Sequence, residues 1–110
     1  GTTRSPMATL DSLVVFVVVG LFGTNAIPHF VQGITGKRHM TPFGSDSSAV
    51  LNVLWGSVNA AIAGALAWLF RDAISGATLA AAFLAGVALA VGLASFWSAE
   101  NPRLPWESAD

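Results

Sequence analysis

Asn25, His29 and Gln32 are the polar residues most out of place in this chain. They recur at steps of four and then three residues. A helix turning about 100° per residue therefore gathers them on one face. That face lies within an apolar run from Leu13 to Ile34, and an ionisable residue inside such a run is by default a functional-site candidate. A second apolar run carries Asn52 and Asn59, with Trp55 between them. Asn25, His29, Gln32, Asn52, Trp55 and Asn59 could line a polar pocket with an indole wall. Amides and one imidazole suit binding of a ligand or an ion. The same residues could instead only hold helices together, at about 0.6 kcal/mol for each intramembrane hydrogen bond. His29 could equally be a hydrated anchor near the membrane edge.

Other chemistries find little support. The acids are Asp11, Asp46, Asp72, Glu100, Glu107 and Asp110. They are scattered over loops and ends, whereas carboxylate hydrolysis needs two acids about one bond. No nucleophile elbow, phosphate-binding loop or dinucleotide motif is present. The chain has no cysteine, which removes disulfides, thiolate metal sites and cysteine nucleophiles. Two histidines are too few for zinc, and His29 and His39 would hold a haem only if both reached one plane. A net charge of −1 leaves no basic field for nucleic acid. The expectation is a protein that is not an enzyme, with no cofactor and no metal.

The elements that must position these residues follow from composition. The chain has 110 residues, 54% hydrophobic and only 10% charged, where a soluble domain carries about 25% charged. Three apolar segments, roughly 13–34, 49–70 and 77–97, contain no Asp, Glu, Lys or Arg. Each is long enough to span a bilayer as a helix. The expected fold is an all-α membrane protein with three transmembrane helices in residues 7–98 and a polar tail over 99–110. Gly1–Pro6 reads as an added leader before a natural start at Met7. Thr24-Asn25-Ala26 loosely resembles a signal-peptide cleavage site, but no basic stretch follows Met7.

Pro28 removes a backbone donor and crowds the preceding turn, so the first helix is expected to be kinked or broken near it. The loop over 35–48 carries Lys37, Arg38 and a Thr41-Pro42-Phe43-Gly44 turn, and Asp46 or Ser47 is expected to cap the second helix. Lys37 and Arg38 suit anionic lipid headgroups, at about 1 kcal/mol each. Lys37, Arg38 and Arg103 lie on one side and Arg71 on the other. The positive-inside rule then puts loop 35–48 and the C-terminus in the cytoplasm of a multi-pass plasma-membrane protein.

Helix faces add a packing expectation. Asn52, Gly56, Asn59 and Ala63 share a face of the second segment, and Gly56, Ala60 and Gly64 form a small-residue ladder. In the third segment Ala81, Ala85, Ala88, Gly92 and Ser95 form a small face, with Leu79, Leu89, Leu93 and Phe96 opposite. In the first, Gly20, Gly23 and Thr24 lie on one side. Small residues let helices approach closely in lipid. Their number suggests self-association or membership of a larger membrane complex. The aromatic pairs Trp68/Phe70 and Phe96/Trp97 suit the two membrane interfaces.

The runs NAIPHFVQGITG (25–36), TPFG (41–44) and VLWGSVN (53–59) resemble a group of small uncharacterised bacterial membrane proteins of actinobacterial type. The resemblance covers the first two spans and their loop and implies no activity. The chain is close in size to small multidrug transporters, but it has three spans rather than four and no membrane-embedded glutamate. Two functions stay open: a non-enzymatic accessory or scaffold subunit packing through Gly/Ala faces, or an oligomeric transport or ligand-binding protein with its site around His29.

Overall fold

A computed structural model describes residues 9–99. Gly1–Pro6, expected above to be an added leader, the expected start Met7, and Arg103 of the expected tail lie outside that range. Three helices carry the fold: α1 (Leu10–Ile34), α2 (Ala49–Leu69) and α3 (Gly76–Trp97). All three are long and apolar enough to cross a membrane. The shortest, α2, has 21 residues, and a rise of about 1.5 Å per residue carries it across a hydrocarbon core of about 30 Å.

Burial is inverted relative to a protein folded in water. The largest fully buried side chains are Asn52, Asn59, Thr41 and Thr78, while Phe83 is 69% and Trp68 66% exposed. Water would penalise that apolar exterior, whereas hydrocarbon solvates it and instead penalises unpaired polar groups. The polar residues therefore turn inward and pair.

Side chains close each helix start. Thr9 and Ser12 form a reciprocal cap on α1, and Ser75 and Thr78 do the same on α3. Ser48 caps α2 by accepting from the Leu51 N–H, one residue beyond the Asp46 or Ser47 expected. Ser47 is instead committed to the loop, where its hydroxyl donates to the Gly44 carbonyl. At the end of α1, Gly36 takes φ 77°. Its N–H reaches the Gly33 carbonyl and that of Lys37 reaches Gln32, a Schellman closure that favours glycine.

Helix α1 runs unbroken through Pro28, so of the kink or break expected there, the break does not occur. Proline costs one bond of the ladder, but in lipid the flanking turns keep theirs and neighbouring helices support the segment. Gly56 of α2 supplies that support. A Cβ added there would come within 2.8 Å of the Phe30 nitrogen and 3.0 Å of the Ala26 oxygen.

Helix α1 lies between the other two, which scarcely touch each other. It meets α3 where Gly20 faces the Ala82 backbone and Thr24 faces Gly86. The side of α3 turned to α1 thus carries Thr78, Ala82 and Gly86, with Leu89, Leu93 and Phe96 half-buried, while Ala88, Gly92 and Ser95 are exposed. That face is rotated from the one read in the sequence. Because α3 is apolar all round, periodicity could not single out its inner side.

The fold is not purely helical. The loop after α1 forms an antiparallel hairpin of β1 (His39–Thr41) and β2 (Gly44–Ser47). The Thr41 and Ser47 hydroxyls meet at 2.7 Å within it. Two spans later the chain returns, so the hairpin, the end of α1, the start of α2 and the end of α3 share one end of the bundle.

Candidate functional site

The hairpin end gathers most of the polar residues singled out above. Asn52 is fully buried and is the hub. Its amide nitrogen donates to the carbonyls of His39 (2.9 Å), Ser48 (3.0 Å) and Ser47 (3.2 Å). Three carbonyls leave no choice of amide orientation, since the flipped group would set oxygen against oxygen. The Asn52 oxygen must then face His29, whose Nδ1 lies 2.9 Å away. An oxygen can only accept, so Nδ1 carries the proton, and in the neutral ring Nε2 carries the lone pair.

The same logic orders the next turn. Asn59 is 1% exposed and donates to the Trp55 carbonyl at 2.8 Å. Its oxygen accepts from the Asn25 amide at 3.2 Å. The Asn25 oxygen is therefore the end left for another partner. Backbone carbonyls set the direction of both relays, in which α1 donates to α2 and α2 donates onward to the carbonyls.

A cavity of about 140 Å³ opens beside these relays. Asn25, His29 and Trp55 line it, together with His39 and Met40 of the hairpin and Leu93, Phe96 and Trp97 of α3. His39 packs edge-on against His29, with ring centroids 5.3 Å apart, and lies 4.5 Å from the Trp97 ring. Burial, with a smaller contribution from His29 nearby, holds the His39 pKa below its ordinary value of 6.5. Trp55 packs edge-on against Phe43, centroids 5.4 Å apart. Its Nε1–H is enclosed and has no partner. A buried donor without an acceptor is costly, at about 1–3 kcal/mol, and calls for an explanation.

The expected site residues thus separate by place. Asn25, His29 and Trp55 reach the cavity, Asn52 and Asn59 stand behind them and orient them, and Gln32 is half-buried but does not line it. Arg38 pairs with Asp46 at 3.1 Å across the hairpin, on the surface, and Lys37 is exposed. Of the small residues, Gly56 is seated on α1 and Ala85 is half-buried, while Ala60, Gly64 and Gly92 face outward. Nothing lies within 4 Å of a Cβ added at Gly64 or Gly92. His39, Met40, Phe96 and Trp97 were not among the expected lining residues. Counting spans would have found the last two, since an odd-numbered helix ends on the side where α1 ends.

A larger hollow, about 490 Å³, lies between α1 and α2 along Ile27, Phe30 and Ala60. It is apolar, and the Ser57 hydroxyl beside it already donates to the Val53 carbonyl. Size favours this hollow, but no free polar group there would orient a ligand. No group of three or more His, Cys, Asp or Glu able to hold a metal occurs among the described residues. Comparison with protein-family models, curated proteins and solved structures gives no match.

Proposed function

We propose that the chain is a small multi-pass plasma-membrane protein that binds a small molecule at its hairpin end and performs no chemistry on it. The observation that carries this reading is one juxtaposition. A histidine with a fixed lone-pair nitrogen and a tryptophan with an unpartnered N–H line the same cavity. Relays that stop short of satisfying the groups they orient suit a site awaiting a guest. Lys37 and Arg38 at this end, against Arg71 at the other, support a cytoplasmic hairpin. Native mass spectrometry of the protein released from mild detergent tests the reading. A bound small molecule is expected on the native chain and absent from His29→Ala at equal helicity. Identical bare masses for both would contradict it.

A second reading is an accessory or scaffold subunit, self-associating or part of a larger complex. The outward small residues Ala60, Gly64 and Gly92 favour it, because they leave room for another helix. Gly64→Leu and Gly92→Leu should then reduce the oligomer size measured by light scattering, with His29→Ala doing little. Unchanged size in both glycine variants would remove this reading.

A further inference from the structure

We propose that the guest of the hairpin-end cavity is an uncharged, hydroxyl-bearing aromatic ring of the phenol or quinol class, an inference that rests on the binding reading above. Size comes first. A cavity of about 140 Å³ matches the scale of an apolar protein cavity of about 150 Å³ that accepts benzene. Shape agrees with size, because Trp55, Phe96 and Trp97 supply flat walls.

Charge narrows the class. No Lys, Arg, Asp or Glu lines the cavity, so an ion entering it would lose its hydration with no counter-charge to replace it. Hydrogen bonding narrows it further. In the neutral ring His29 Nε2 accepts only, and Trp55 Nε1 donates only. The Asn25 oxygen is a second acceptor beside them. A hydroxyl both donates and accepts, so one hydroxyl-bearing guest can serve either kind of group. A carbonyl compound could not donate to Nε2, and an ether would also leave it bare.

The test uses four probes that share one ring: 4-methylphenol, its methyl ether, 4-methylbenzoate and 4-methylbenzylammonium. Each is titrated into the full chain in lipid nanodiscs, and the Trp55 indole N–H resonance is followed, with that of Trp68 as an internal control from the opposite end of the bundle. The phenol should shift the Trp55 resonance at concentrations about tenfold lower than any other probe, leave Trp68 unmoved, and lose its effect in His29→Phe. Trp55→Phe leaves a smaller aromatic ring without the donor, so the phenol should give this variant no thermal stabilisation over its own unliganded melting temperature. If the ether or either ion binds as tightly as the phenol, and still depends on His29, the site stands and the assigned class is wrong. If none of the four binds in a His29-dependent way, the binding reading itself fails.

Discussion

Against α2, helix α1 presents Asn25 and His29, each tied across the contact by an asparagine; against α3 it presents Gly20 and Thr24, and no side-chain hydrogen bond joins that pair of helices among the described residues. Both contacts bring backbones close through glycine, Gly56 and Gly33 on one side and Gly20 and Gly86 on the other. They differ in what fixes register. A directional bond is lost when a helix turns or slides, whereas apolar packing in lipid has no solvent-driven preference for one register. The hairpin strengthens the α2 side further, because its His39 and Ser47 carbonyls, with that of Ser48 beside it, converge on Asn52. The cavity therefore has walls pinned by hydrogen bonds on α1, α2 and the hairpin, and a wall held by packing alone on α3.

Removing the hub should have the largest effect on this contrast. Asn52→Leu strands the His29 N–H and removes the side-chain donor from the His39 and Ser47 carbonyls, while Ser48 keeps its bond from the residue-52 backbone N–H. Each buried group left unsatisfied costs about 1–3 kcal/mol. Thermal unfolding in mild detergent should show a loss of several kcal/mol. A loss below about 1 kcal/mol would mean that the network only decorates the α1–α2 contact. Next comes the packing side. A Cβ at Gly20 would overlap the Ala82 carbonyl oxygen, a backbone atom that cannot swing away. Gly20→Ala should cost about 1–3 kcal/mol, as overpacking does, while Gly64→Ala, which meets open space, should be neutral or slightly stabilising. Equal melting of the two variants would show that α3 does not lie against α1 as described.

The smallest effect should come from pH. His39 has its pKa below 6.5 in the folded protein, so as pH falls the unfolded ring takes up its proton first. Stability should then decline below about pH 6.5 and level off once the folded ring also protonates. His39→Phe keeps a ring against Trp97 and should flatten that slope. A flat profile in the native protein would place His39 in a more solvated setting than the cavity wall.

Much of the pinned side was legible in the sequence, and little of the packed side was. Asn52, Gly56, Asn59 and Ala63 are polar or small within an apolar helix, so their spacing marks the face that α2 buries. Helix α3 offers alanine, leucine and valine in every direction, and its buried Thr78 and Gly86 carry no periodic contrast. The hairpin escaped because its strands are short and polar, and its register comes from the Thr41–Ser47 contact and the turn between them rather than from alternation. His29 and Asn52 could be named as candidates from their types alone. Their pairing, the orientation imposed by three carbonyls, and the arrival of His39 and Trp97 at the same cavity depend on long-range contacts that no local pattern encodes.

The ¹⁵N spectrum of imidazole-labelled protein in bilayers at mildly alkaline pH tests the central relation most directly. His29 should show a protonated Nδ1 and a bare Nε2, and Asn52→Leu should release that preference. A proton on Nε2 in the native protein would contradict the hub, the orientation of the ring and the cavity chemistry derived from them.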